Sequence, residues 1–365
     1  MSINNTEKSY NFGMIGLGTM GRNLLLNMAD HGFSVTGHDK SEKMLALLEE
    51  EGKAHHLKGF AKVEDFVGSL TSPKTIILLV PAGKIVDEVI AEITPLLSKG
   101  DIIIDSGNSY YADTTRRSVA LKEQGFHFFG MGISGGEEGA RFGPSLMPGG
   151  DKDAYSVVKD LLEAVSAKVN GEPCVTYIGP GASGHFVKMT HNGIEYAIMQ
   201  LLAETYDILK NGLGYNNQQI QQVFEKWNNG RLKSFLMEIT KDVFLFKDEK
   251  TGNLLVDEIK DQAKSKGTGK WTSQIAMDVE IPLNTIDASV AARNLSKLKD
   301  LRVELEGAFG KAASIAQNED FEAQLEEAFY FAMVSAYAQG MHLLWKASEE
   351  YGYELNMAEI AKIWR

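Results

Sequence analysis

The sequence predicts an α/β N-terminal Rossmann-type doubly wound domain followed by an all-α domain, and three observations carry that prediction. A Gly-x-Gly-x-x-Gly run, Gly16-Leu17-Gly18-Thr19-Met20-Gly21, sits between a strand-like and a helix-like segment. Strand and helix periods then alternate as far as Ile178. Beyond Gly179-Pro180-Gly181 nearly every segment has a helical period. The division is placed there, giving residues 1–180 to a dinucleotide-binding domain and residues 181–365 to a helical one.

Taken in order, Asn11 to Ile15 reads as a strand and the helix after the glycines runs through Asn23, Leu24, Leu25 and Met28. A second strand, Phe33 to Gly37, ends near Asp39, about 20 residues on, where a dinucleotide fingerprint places an acidic residue. Glycines at this spacing let the backbone approach a pyrophosphate, whose charge a helix N-terminus stabilises. The alternation continues with a strand Thr75 to Val80, a helix Lys84 to Leu97, a strand Asp101 to Asp105, a helix Asp113 to Gly125 and a strand His127 to Gly130. Val157 to Val165 is helical in period, and Cys174 to Ile178 reads as a last strand. Ligands in such sheets sit beyond the carboxyl ends of the strands. That places Val80-Pro81-Ala82, Ser106-Gly107-Asn108 and Ile133-Ser134-Gly135-Gly136 around a cofactor crevice.

Composition narrows the function. With 365 residues, 44% of them hydrophobic and 24% charged, the chain has the length for two domains and an ordinary globular make-up. A net charge of -12 argues against a nucleic-acid partner. The single cysteine, Cys174, rules out an intrachain disulfide and fits a reducing, cytoplasmic setting. Met1 to Tyr10 is polar, unlike a signal peptide, and no run reaches the ~18 apolar residues of a membrane span.

Two stretches carry chemistry. Gly181 to Tyr196 opens a long helical segment in which Lys188, His191, Asn192 and Glu195 fall at i, i+3, i+4 and i+7, on one face. An amine and a carboxylate about 10 Å apart along the axis leave room for a small substrate between them. Phe186, Val187, Met189, Ile194, Met199, Leu201 and Leu202 surround that face with apolar side chains, as in a buried helix, where charged groups need partners or a job. The second stretch, Lys264-Ser265-Lys266-Gly267-Thr268-Gly269-Lys270-Trp271, reads as a basic, glycine-containing loop that suits a phosphate ester and lacks the spacing of a P-loop.

Ile133 to Gly150, Gly184 to Tyr196, Ser234 to Thr240 and Lys266 to Thr272 together resemble the 6-phosphogluconate dehydrogenase family, and the similarity runs from about Phe12 to Arg365. The wider β-hydroxyacid dehydrogenases share the Ser-Gly-Gly turn and a Lys-x-x-x-Asn pair. The Glu137-Glu138 extension and the Lys-Gly-Thr-Gly-Lys-Trp run go beyond them.

The resemblance implies oxidative decarboxylation of 6-phosphogluconate to ribulose 5-phosphate with NADP as hydride acceptor. In that reaction Lys188 is the base and Glu195 the acid, with His191 and Asn192 oriented on the sugar hydroxyls. A lysine serves as base only where enough of it is neutral, which burial favours. Asn108, Ser134, Gly135 and Gly136 would hold the sugar acid; Tyr196, Lys266 and Arg293 would take its phosphate. The dinucleotide would lie on Gly16 to Gly21, Asp39-Lys40-Ser41, Val80-Pro81-Ala82 and Asn108. No metal is implied, since a protonated lysine takes the place of a Lewis acid. A homodimer built on the helical domain is implied as well.

Two departures from the family matter. Asp39-Lys40-Ser41 stands where the family has Asn-Arg-Thr, so Asp39 repels a 2′-phosphate and suits the free diol of NAD, whereas Lys40 and Ser41 suit NADP. The family also continues past Arg365 into a tail that lends an Arg and a His to the partner's phosphate site. A β-hydroxyacid dehydrogenase that releases no carbon dioxide and a silent dinucleotide-binding protein are the competing readings.

Overall fold

The computed structural model describes residues 10–309 and 320–364; the stretch ahead of Tyr10 and Arg365, both used above, lie outside them. Strand centres explain the sheet. Met14, Ile77, Ile102, Ile104 and Phe129 join one buried cluster, while Ile15, Ile76, Leu78, Ile103 and Phe128 join another. Successive side chains of a strand point to opposite faces, so the apolar runs of the sequence supply a core on both sides at once.

Strands and helices follow as β1 (Tyr10–Ile15), α1 (Thr19–Asp30), β2 (Val35–His38), α2 (Glu42–Glu51), β3 (Leu57–Phe60), α3 (Val63–Gly68) and β4 (Leu70–Leu78). Next come α4 (Lys84–Ile93), β5 (Ile102–Asp105), α5 (Tyr111–Glu123), β6 (His127–Ser134), α6 (Gly136–Phe142), β7 (Ser145–Gly150) and α7 (Lys152–Val165). The sheet order is β3-β2-β1-β4-β5-β6-β7, parallel except for β7 against β6. Its order reverses between β1 and β4, the switch point at which such sheets open a crevice.

Several expectations are corrected. The helix expected over Lys84 to Leu97 stops at Ile93 and tightens into a 3₁₀ turn at Thr94–Leu96, because Pro95 has no amide to continue the ladder. Cys174 to Ile178 is not a full strand. It lies along β7 with Leu146 N–H donating to the Cys174 carbonyl and Ile178 N–H to that of Pro148, but only the Leu146–Val175 bridge forms. Pro148 has no N–H to give in between, which breaks the ladder. The sequence reading passed over α2, β3, α3, α6 and β7, all of them short except the ten-residue α2.

Helices follow: α8 (Ser183–Asp207), α9 (Asn217–Asn228), α10 (Phe235–Val243), α11 (Leu255–Glu258), α12 (Thr268–Asp278), α13 (Asn284–Ser296), α14 (Lys299–Phe309), α15 (Phe321–Tyr351) and α16 (Met357–Ile363). Among the described residues after Ser183, Lys247 and Leu254 form a bridge outside these helices. By compactness the chain forms two units, residues 1–189 with 344–365, and residues 190–343, so α8 and α15 each contribute to both. The division proposed at residue 180 marks the point where the strand and helix alternation ends. In the second unit Trp227 is buried with its ring 5.8 Å from Phe224 and 5.7 Å from Phe329. No described helix is long and apolar enough to cross a membrane.

Candidate functional site

The three fingerprint glycines sit in three different surroundings. Gly16 has φ of +95°, and a Cβ there would lie 2.5 Å from the Leu79 carbonyl oxygen. A Cβ on Gly21 would sit 1.9 Å from the Gly16 carbonyl oxygen, so the glycine lets α1 pack onto the turn. Gly18, at the N-cap of α1, faces open space, with nothing within 4 Å of where a Cβ would be. A turn that is tight, a helix start that is open and a close helix-to-strand contact are what a dinucleotide pyrophosphate needs, and these residues fit it.

Beside that turn lies a cavity of about 230 Å³ lined by Gly16, Asp39, Lys40, Val80, Glu88 and Glu92, among others. Asp39 does more here than the sequence reading gave it. One carboxylate oxygen accepts the Leu17 amide at 2.8 Å and the other the Ser41 amide at 2.8 Å, so Asp39 ties the glycine turn to the end of β2. Lys40 reaches across to Glu92 at 3.3 Å and is largely exposed. Ser41 caps α2 by position, without a side-chain hydrogen bond.

Lys188 is placed by glycines that the sequence showed without giving their reason. It is 6% exposed. A Cβ on Gly132 would fall 2.3 Å from Lys188 Cβ, so the lysine stem occupies the space over β6 that a side chain would take. One turn earlier His185 lies over Gly130 in the same way, and Gly184 packs against the Gly130 and Met147 carbonyls. This glycine track seats the start of α8 on β6 and β7. It puts Lys188 beside the strand that ends in Ser134, followed by Gly135 and Gly136 with φ of +134° and +62°.

In the second unit, the next turns of α8 pack on the start of α12. Asn192 donates to the Thr268 hydroxyl at 3.3 Å, and Gly193 makes room for Thr272, whose Cγ2 is 2.8 Å from its virtual Cβ. His191 Nδ1 lies 3.2 Å from Glu195 Oε2. The Arg293 guanidinium stacks 3.6 Å from the Tyr196 ring centre and donates to the Lys264 carbonyl at 3.0 Å. Lys266, two residues beyond Lys264, is exposed. The stretch expected as a loop is only partly one: Gly267, with φ of +103°, starts α12, so Thr268 to Trp271 form its first turn.

The structure thus gathers the expected residues into two sets. Gly16 to Gly21, Asp39, Lys40, Ser41, Val80, Pro81, Ala82, Asn108, Ser134, Gly135, Gly136 and Lys188 belong to the first unit, and His191, Asn192, Glu195, Tyr196, Lys266 and Arg293 to the second. Sequence reasoning missed Thr268 and Thr272, whose hydroxyls have no pattern of their own, and Glu92, which is far from Lys40 in sequence.

Comparisons with known proteins agree with one another. Residues 11–179 match the NAD binding domain of 6-phosphogluconate dehydrogenase and residues 184–365 its C-terminal domain. A Bacillus subtilis protein described as 6-phosphogluconate dehydrogenase, NADP(+)-dependent, decarboxylating is 49% identical over 97% of the chain and 76% of its own length. A Saccharomyces cerevisiae 6-phosphogluconate dehydrogenase, decarboxylating 1, is 47% identical over 98% and 74%. A solved Plasmodium falciparum 6-phosphogluconate dehydrogenase, studied without ligand, with NADP+ and with 6-phosphogluconate, superposes with a TM-score of 0.92 at 45% identity, covering 97% of this chain and 77% of that one. A Salmonella typhimurium 3-hydroxyisobutyrate dehydrogenase, at 19% identity and a TM-score of 0.59, shares the fold.

Proposed function

The chain belongs to the 6-phosphogluconate dehydrogenase family, and on that premise we propose that it converts 6-phosphogluconate to ribulose 5-phosphate and carbon dioxide while reducing NADP. The observation that carries the reading is the burial of Lys188 over Gly132, on the strand leading into Ser134-Gly135-Gly136.

Held along the glycine turn, NADP would supply the acceptor for the hydride released from C3 of the substrate. The residues of the chain handle the protons. Lys188, in its neutral form, takes the C3 hydroxyl proton as the ketone forms. Once protonated, it returns that proton to the ketone oxygen while the C1 carboxylate leaves as carbon dioxide, and an enediol remains. Glu195 then protonates C1 of the five-carbon enediol, and Lys188 recovers the enol proton. His191 lies 3.2 Å from the Glu195 carboxyl, within reach to orient it. Asn108, Ser134, Gly135, Gly136 and Asn192 would orient the sugar acid.

For the phosphate, support comes from Arg293. Its guanidinium lies over the Tyr196 ring and is anchored to the segment carrying Lys266, which presents a planar cation for phosphate oxygens. We place the protein in the cytoplasm, where its buried Cys174 would stay reduced.

Reduction of NADP by 6-phosphogluconate, with carbon dioxide release followed in parallel, tests the reading. Reduction without carbon dioxide would make the chain a different β-hydroxyacid dehydrogenase. Lys188→Met should lower turnover by about 10²-fold or more, the scale of an acid/base group, while NADP still binds.

A further inference from the structure

The turn after β4 and the turn after β5 are tied together by one buried guanidinium. Arg117, on α5, has a side chain only 2% exposed. Its Nη1 donates to Asp105 Oδ2 at 3.3 Å, its Nη2 to the Gly83 carbonyl at 2.9 Å, and its Nε and Nη2 to the Asp87 carboxylate at 2.9 and 3.1 Å. Asp105 ends β5 and passes the constraint along, accepting the Gly107 amide at 3.1 Å and the Ser109 hydroxyl at 2.7 Å. The turns also touch directly, since a Cβ on Gly107 would lie 3.2 Å from the Val80 carbonyl oxygen. Val80, Pro81 and Ala82 sit on the first turn and Asn108 on the second.

We propose that Arg117 is a positioning residue for the reaction, setting the register between the cofactor-side turn at Val80–Ala82 and the substrate-side turn at Asn108. The inference rests on the function proposed above. Three acceptors, at the end of β5, on the turn after β4 and on α4, need the planar fork of a guanidinium; an ammonium keeps the charge but cannot span them. The charge matters too, because Asp105 is fully buried and its other partners, an amide and a hydroxyl, are neutral. The Arg117 hydrogen bond also holds the Asp87 carboxyl below its ordinary range, as an ion pair formed at this position requires. Nothing in the sequence separates Arg117 from Arg116, its exposed neighbour on the same helix.

The test is equilibrium titration with NADP and, separately, with 6-phosphogluconate on wild type, R117K, D87N and S109A, with turnover and melting temperature measured alongside. D87N takes the charge out of the link to α4 and should weaken NADP while 6-phosphogluconate stays within about twofold; S109A cuts the link on the far turn, whose Asn108 is assigned to both ligands, and should weaken 6-phosphogluconate more than NADP. R117K should weaken both ligands and lower kcat by about tenfold, since small misplacements of reacting groups are costly. A folded R117K with wild-type affinities and kcat overturns the proposal. So does a loss of both ligands in all three variants that merely tracks melting temperature. Should R117K fail to fold, the opposite splits of D87N and S109A decide. A wild type that binds both ligands without forming NADPH refutes the reaction instead, and the splits still decide on Arg117.

Discussion

Asp39 shows how far a single residue can be read. Its place after the second strand marks it as a cofactor residue, but its carboxylate is also a clamp between the Leu17 and Ser41 amides. Asp39→Asn keeps one acceptor for the clamp and removes the charge. A carboxylate a few ångströms from a phosphate dianion costs on the order of a kilocalorie per mole at a partly exposed site. The variant should therefore raise the ratio of kcat/KM for NADP to that for NAD by several-fold, about what one kilocalorie gives. An unchanged ratio would show that the clamp is the whole role of Asp39. Gly21→Ala is harsher: its methyl would meet the Gly16 carbonyl oxygen at 1.9 Å. The turn must open, so we expect a loss of about 1–3 kcal/mol in unfolding free energy, with weaker NADP binding measured by titration.

At the scale of an element, α7 is held at its start by Asp151. The carboxylate accepts the Asp153 and Ala154 amides and also faces His127 Nδ1 at 2.6 Å, joining the helix to β6. Asp151→Ala should cost about 1 kcal/mol in a denaturant titration, the ordinary worth of an N-cap. Burial opposes the charged carboxyl, yet the bonds from His127, Ala154 and Asp153 outweigh it and hold Asp151 below the usual carboxylate range. A carboxyl depressed in the folded state stabilises it fully above the unfolded value and loses that contribution as pH falls through the folded one. Stability of the wild type should hence drop more steeply below about pH 4 than that of Asp151→Asn, by melting temperature against pH. Parallel curves for the two proteins would count against the clamp.

For the whole molecule, the second unit leaves several large apolar side chains exposed. Phe235 is 59% exposed, Phe309 85% and Phe331 75%. We propose that a second copy covers them, as a two-fold symmetric dimer. Sedimentation at micromolar concentration should give twice the chain mass, and Phe331→Glu should shift the protein toward monomer. A wild-type monomer in that experiment would remove the dimer.

The sequence by itself determined the central strands of the sheet, the fingerprint turn, the helical remainder and the Lys188 to Glu195 face. Each of these is a local pattern: period two or 3.6, a glycine spacing, or four polar residues on one side of a helix. It also placed Tyr196, Lys266 and Arg293 in one group, through a resemblance rather than a pattern. Only the tertiary structure decided that Gly130, Gly132 and Gly184 exist to seat α8 on the sheet, that Lys40 turns to Glu92, and that Arg117 rather than Arg116 is the buried cation. These are contacts between residues far apart in the chain. A missing Cβ or a buried charge has meaning only once the neighbour that fills or pairs it has been brought alongside by the fold.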